Sequence, residues 1–215
     1  DLWMVGEHAC KALLYQAAFG RVPDYDGFTY WLNNFKTVSA GNTLLLSQQF
    51  YNSAEFAARI GGDPTTLTDS DYVLALYQNV LGRPGDFNGA TYWVNWLTAA
   101  EAAGGNTDAA KDAARNQLLD VFAASGENVS NNGKQIETFT VYAAFDGRAP
   151  TTAEFTAAQS QSELTVVSGV VATSPNYGAT GAAPVPVFPL TFTPDVTTVT
   201  EGNAVTFTVN LNTPA

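Results

Sequence analysis

The sequence predicts a mainly α-helical repeat domain, followed by a Pro-rich linker and the first β-strands of a β-sandwich. Three observations lead there. Tyr15–Trp31 reads Y-Q-A-A-F-G-R-V-P-D-Y-D-G-F-T-Y-W and returns at Tyr77–Trp93 as Y-Q-N-V-L-G-R-P-G-D-F-N-G-A-T-Y-W, while a shortened copy at Tyr142 reads Y-A-A-F-D-G-R-A-P. Apolar residues around these corners recur at helical spacing, so each copy is a helix–corner–helix unit of a repeat array. Finally, none of the nine Lys and Arg residues lies beyond Arg148, and the composition there turns to Thr, Val, Ala, Pro and Ser.

Residues 1–8 form a short opening segment with Trp3 and His8, the single histidine. A helix is predicted over Ala9–Phe19, with Leu13, Leu14, Ala17 and Ala18 on one face. Gly20 stops it, because glycine enters the left-handed C′ position without steric cost. Pro23 breaks any continuation, and Asp24 is a good N-cap for a second helix carrying Phe28, Tyr30, Trp31 and Phe35. A third helix, Thr43–Tyr51, leads to Ser53, which can cap a short last helix ending at Gly61-Gly62. Residues 1–62 are thus the first unit.

The Gly-Gly-Asp-Pro linker opens the second unit, residues 63–133, where Thr68 and Asp71 resemble a capping box. Its first helix has a stripe of Tyr72, Val73, Leu76, Tyr77, Val80 and Leu81. Gly82, Arg83, Pro84 and Asp86 repeat the corner, Tyr92, Trp93, Trp96 and Leu97 mark the next helix, and Ala109–Phe122 the third. The unit closes on Phe122-Ala-Ala-Ser125-Gly-Glu127, matching Phe50-Tyr-Asn-Ser53-Ala-Glu55.

The third unit, residues 134–177, is degenerate. It has a helix at Phe139–Phe145, the corner Gly147–Pro150, a cap at Thr151 or Thr152, and a closing Val171-Ala-Thr-Ser174, but no Tyr-Trp pair and no Asp-x-x-Gly. Terminal repeats are commonly atypical, since one face lacks a neighbour. Residues 178–189 read as an Ala/Gly/Pro linker. Residues 190–215 alternate apolar and polar with period two and are rich in β-branched residues, the pattern of strands. Two or three strands cannot close a sandwich. The expectation is a longer natural protein, or completion of a neighbour's sheet by residues 190–212.

Composition narrows function. A net charge of −11 and a pI near 4.2 argue against nucleic acid or an anionic membrane as partner, since both select cationic patches. An acidic surface suits calcium, high solubility and an extracellular setting. No run approaches the roughly 20 apolar residues of a spanning helix, so no transmembrane segment is expected. The chain opens at Asp1 rather than Met, as in a processed, trimmed or partial protein. One cysteine, Cys10, rules out an internal disulfide; on an apolar helical face it is expected to be a small core residue. A single histidine excludes a His/Cys zinc cluster, and no G-x-S-x-G, H-E-x-x-H or P-loop occurs. A non-catalytic protein is expected.

The pattern Y-x-x-x-x-G-R-x-P-D-x-x-G-x-x-Y-W, closed by F-x-x-S-x-E-F, resembles the DUF4214 repeat domain of secreted bacterial surface proteins. Tyr15, Gly20, Arg21, Pro23, Asp24, Gly27, Tyr30, Trp31, Phe50, Ser53, Glu55 and Phe56 carry the match in the first copy. Tyr77, Gly82, Arg83, Asp86, Gly89, Tyr92, Trp93, Phe122, Ser125 and Glu127 carry it in the second, where Pro84 stands one place early. The resemblance spans about residues 9–177. The final T-x-T-E-G-N-A-V-T-F-T-V-N-L looks like the start of a Calx-β or immunoglobulin-like surface module. The family implies a setting in surface layers, adhesins and other exported proteins, and supplies no catalytic residues.

Three groups of side chains are candidate sites. Arg21, Arg83 and Arg148 stand at the corners, and Glu55 and Glu127 recur at fixed places, so an Arg–Glu clamp inside each unit is the natural architectural reading; ligand binding is the alternative. Asp24 and Asp26, and Asp86 and Asn88, put oxygens two apart before a glycine, as in half an EF-hand loop. The twelfth positions hold Phe35 and Leu97, which excludes an EF-hand; these four residues are candidate calcium ligands, against a reading of Asp as N-cap and Gly for close packing. Tyr92 and Trp96 are candidate glycan contacts, although Tyr-Trp pairs at helical spacing more often fill a core. The expected function is a structural or anchoring subunit of a bacterial cell-surface assembly (surface layer, sheath, filament or adhesin). It would act by self-association into homo-oligomers or by attachment to envelope polysaccharide. The alternatives are a glycan-binding module and the accessory domain of a secreted enzyme.

Overall fold

Local capping chemistry sets most of the helix boundaries. In a computed structural model, which describes residues 2–37 and 42–175, ten helices and no strand are present among the described residues. They are α1 (Leu2–Phe19), α2 (Tyr25–Thr37), α3 (Thr43–Tyr51), α4 (Ala54–Ile60), α5 (Asp69–Val80), α6 (Phe87–Ala103), α7 (Asp108–Ala123), α8 (Gly126–Phe145), α9 (Thr152–Ala158) and α10 (Glu163–Thr173). The helices α3 to α10 open on Asn42, Ser53, Thr68, Asp86, Thr107, Ser125, Thr151 and Ser162, each side chain accepting a backbone N–H of the first turn. Such a cap is worth about 1 kcal/mol. The described helices fall in one compact unit within Asp1–Thr180. The expected linker at 178–189 and strands at 190–215 lie outside the described residues.

Two boundaries and one cap differ from the sequence reading. α1 reaches back to Leu2, because residues 2–8 contain no proline and only Gly6 as a weak point. Thr68 accepts the Asp71 N–H at 3.1 Å, but the Asp71 carboxylate accepts from the Thr68 hydroxyl (2.7 Å) and not from its backbone N–H, so the reciprocal bond of a capping box is not made. The largest difference is α8, which joins the closing helix of the second unit to the opening helix of the third. In the first unit the equivalent junction is broken by Gly61 (φ 90°), Gly62 (φ 157°) and Pro64. Residues 126–145 contain no proline, and Gly133 is accommodated within the helix.

α1 is the axis of the bundle, lying against α3, α5, α7 and α8. Its Ala12, Ala17 and Ala18 are buried beside Leu14, Tyr15 and Phe19, and these small side chains let neighbouring helices approach. The main core joins α1 to α3, α4, α5, α6 and α7. A second cluster, Ala12, Phe28, Ile136 and Phe139, binds α1 and α2 to α8, and a third holds Val141, Phe145, Ala158, Val166 and Val170 of the last unit. Contact between α1 and α8 folds the array back on itself, whereas a simple solenoid touches only sequential neighbours. Arg59 ties the first two units together: its Nη2 donates to the Asn79 carbonyl, and Asn79 Nδ2 donates to the Arg59 carbonyl at 3.0 Å.

Cys10 is exposed, contrary to the expectation of a core residue. Lys11 and Ala12 beside it are the buried positions, so the helix is rotated relative to that reading. A second correction concerns the aromatic pairs. Trp31 and Trp93 pack on the core, but their neighbours Tyr30 and Tyr92 point outward, 61% and 60% exposed. Successive helical residues are about 100° apart, so one of each pair faces the core and the other turns away.

Candidate functional site

The three corners are built alike. Gly20, Gly82 and Gly147 have φ of 68°, 70° and 69°, the left-handed close of a helix that non-glycine residues disfavour. The next residue is in each case the arginine, and its guanidinium stacks over the tyrosine six positions earlier: Arg21 over Tyr15 (4.9 Å), Arg83 over Tyr77 (5.0 Å) and Arg148 over Tyr142 (5.0 Å). A planar cation on a ring face leaves its edge free for carboxylates.

In the first two units those carboxylates come from two helix N-termini. Arg21 Nη1 donates to Asp24 (3.0 Å) and Nε to Glu55 (3.1 Å). Arg83 Nη1 reaches Asp86 at 3.4 Å, while Nε and Nη2 donate to both oxygens of Glu127, at 2.5 and 2.9 Å. Asp24 and Asp86 also accept the N–H of Gly27 (2.7 Å) and Gly89 (2.8 Å), capping α2 and α6. One arginine therefore gathers the end of one helix and the starts of two others. The Asp-x-x-Gly spacing follows from crowding: a Cβ on Gly89 would lie 2.4 Å from the Tyr77 hydroxyl and 2.9 Å from the Asp86 carboxylate.

The third corner reaches the same end differently. Thr151 replaces the capping aspartate, and Glu154 stands where the other copies have glycine. Glu154 completes a capping box with Thr151 and accepts Arg148 Nη1 (2.8 Å) and Nη2 (2.7 Å), while Asp146 takes Nε at 2.6 Å. The position two beyond Ser174, matching Glu55 and Glu127, is Asn176, which has no carboxylate. The sequence offered Thr151 or Thr152 as the cap; the structure selects Thr151, and neither the capping box with Glu154 nor its partnership with Arg148 was anticipated.

The charges respond accordingly. Glu154 is held down to about 2, first by its bonds to Arg148 and then by those to Thr151, and Glu127 is lowered by Arg83. Asp24 and Asp86 are lowered chiefly by the N–H of Gly27 and Gly89. Burial raises the Tyr15 phenol to about 12. A carboxylate with a folded value below its unfolded one stabilises the fold above the unfolded value, and that contribution disappears as pH falls through the folded value. Urea midpoints should therefore fall between pH 5 and pH 2, and Glu154→Gln should flatten the slope. An unchanged slope in the variant would show that Glu154 is not linked to folding.

Arg115 was not anticipated. It lies on α7 with Leu118, Leu119 and Phe122 at i+3, i+4 and i+7, so an arginine on the apolar stripe was the signal. Its side chain is 0% exposed and stacks over Tyr72 (5.4 Å). It donates to the carbonyls of Pro64 and Leu67 and to Asp69 at 2.8 Å; Glu101 Oε1 lies 3.8 Å from Nε. Burial, and then the Asp69 charge, raises the Glu101 carboxyl.

The other candidates are dispersed. Asp26 and Asn88 are exposed beside the caps, and among the described residues no group of three or more His, Cys, Asp or Glu is placed to hold a metal ion. Trp96 is half-buried, packed on the core with its ring 6.1 Å from Trp93, whereas Tyr92 is the outward member of the set. Among the described residues no helix is long and apolar enough to cross a membrane.

The family model described as "Domain of unknown function (DUF4214)" matches residues 47–132. No curated protein matches the chain, and no solved structure does. The matched stretch holds the whole Tyr77–Arg83–Asp86–Glu127 clamp and the closing Ser53–Phe56 turn of the first unit. Residues 47–132 are thus similar to the DUF4214 family through the helices that build one complete clamp.

Proposed function

We propose that the helical domain is a non-catalytic structural or anchoring module of a secreted bacterial cell-surface assembly, such as a surface layer, sheath, filament or adhesin. It would act by self-association or by attachment to envelope polysaccharide. The observation that carries this reading is the internal use of the repeated polar residues: Arg21, Arg83 and Arg148 and their carboxylates are engaged in holding helix ends together. What faces outward is then a rigid helical surface. In this reading residues 190–215 open a Calx-β or immunoglobulin-like module, on the strength of their period-two alternation alone. The exposed Tyr92 favours a second reading, a glycan-binding module, because an outward ring can stack on a sugar. Calcium at Asp24/Asp26 or Asp86/Asn88 would have to compete with an arginine already on Asp24 and Asp86.

Electron microscopy of the concentrated chain, with and without millimolar calcium, tests the reading together with co-sedimentation on isolated envelope polysaccharide. Sheets, fibres or co-pelleting support it. A protein that neither assembles nor pellets under any of these conditions rejects it.

A further inference from the structure

The repeat register places the same face on every unit, and two of the three faces are paired. Three residues before the corner tyrosines stand Ala12, Leu74 and Phe139; four past the caps Asp24, Asp86 and Thr151 stand Phe28, Ala90 and Phe155. In the first and third units these positions meet. Ala12, Phe28 and Phe139 are buried in one cluster, Phe28 stands edge-on to Phe139 at 5.0 Å, and Phe155 packs on the same cluster. The position past the cap in one unit thus faces the position before the tyrosine in the other. An odd number of units leaves one face over, and it is the middle one. Leu74 is 43% exposed and leans over Gly85, where an added Cβ would lie 3.1 Å from its Cδ2. Phe87, two residues beyond Gly85, is 84% exposed, more than any other large apolar side chain among the described residues. Pro84 of the same corner is exposed as well. Outward apolar side chains gathered in this way mark a contact surface.

We infer that the Leu74 and Phe87 face is a dimerisation surface, and that its partner is the same face of a second copy of the chain. The inference rests on the self-association half of the proposed function. Two observations select the occupant. This kind of face already pairs with its own kind inside the molecule, through Phe28 and Phe139. Size agrees as well. The middle unit has a large side chain, Leu74, before its tyrosine and a small, half-buried one, Ala90, past its cap. Two copies related by a twofold axis, meeting as the first and third units do, set Leu74 of each over Ala90 of the other. Phe87 lies three residues before Ala90 on the same side of α6, beside that contact. A face that pairs with itself is isologous and closes at two copies, so growth into sheets or fibres needs a second contact. Charge opposes the approach, since each copy carries −11. The acids at the margin are Asp71, three residues before Leu74, and Asp86, which already faces Arg83 at 3.4 Å. Salt screens that repulsion and leaves the apolar contact, so it should strengthen the dimer.

Sedimentation velocity of the full chain from micromolar to millimolar concentration tests this, with the variants Leu74→Gln and Phe87→Thr. The second installs the third unit's residue, Thr152. Both side chains face outward, so each variant should melt close to the wild type. The wild type should pass from monomer to dimer with concentration, and more readily at high salt, while either variant loses the dimer. Labelled Phe87→Thr mixed with excess wild type should sediment as monomer, because a face that pairs with itself needs both copies intact. Recruitment of the labelled variant, or growth of the wild type beyond two copies that either variant abolishes, would overturn the self-pairing. Dimers that both variants retain would overturn this contact while leaving self-association standing. A wild type that stays monomeric would overturn the contact. Electron microscopy of the same preparation then separates the two readings: sheets or fibres leave self-assembly standing through another surface, and their absence removes it too.

Discussion

Replacing Arg115 with methionine should lower the stability of the helical domain by about 3–5 kcal/mol, the cost of breaking a buried ion pair from one side. For a domain of this size that corresponds to roughly 6–20 °C in melting temperature. The side chain is fully buried and its donors satisfy the carbonyls of Pro64 and Leu67 in the loop before α5. Methionine matches the volume but leaves those carbonyls without a donor, and leaves Asp69 and Glu101 without a buried counter-charge. The pH dependence separates this role from packing. Glu101 has a folded value above its unfolded one, so its ionisation costs stability at neutral pH, and the cost is relieved as pH falls through the folded value. In the variant the deficit should therefore shrink between pH 7 and the ordinary carboxylate range. A deficit that does not change with pH would show that Arg115 acts through shape alone. Adding Asp69→Asn and Glu101→Gln to the variant should restore part of the loss.

Truncating Trp93 to alanine should cost about 3 kcal/mol, the low end for a buried aromatic because the ring is only half-buried. The expected fall in melting temperature is roughly 6–12 °C. The variant gives the second unit the alanine that the third has at Ala158, and exposes Phe122 and the Tyr77 hydroxyl to the vacated space. Free indole should raise the midpoint of the variant in proportion to the logarithm of its concentration, since a ligand that binds only the folded form stabilises it by mass action. If alanine at residue 93 leaves the melting temperature within a degree of wild type, the ring does not carry core energy.

Much of the corner was readable beforehand because its chemistry is local. Asp86 caps a helix three residues before Gly89 and Gly82 turns left-handed; both depend on residues within one turn of one another. The pairing of Arg21 with Glu55 and of Arg83 with Glu127 spans 34 and 44 residues, and was reachable only because both members recur together. Where recurrence failed, so did the reading. Glu154 has no counterpart in the other units, and Arg115 lies on a helix whose repeat equivalent, α3, carries no arginine.

The residue pattern by itself determined most of the helix caps, that the units repeat, and which residues sit at each corner, since capping and glycine conformation act over three or four residues. Only the tertiary structure decided that α1 lies against α8. The same holds for the outward turn of Tyr30 and Tyr92. Each of these depends on which faces remain to be covered once the helices have packed, and burial is a property of the assembled bundle that no single segment encodes.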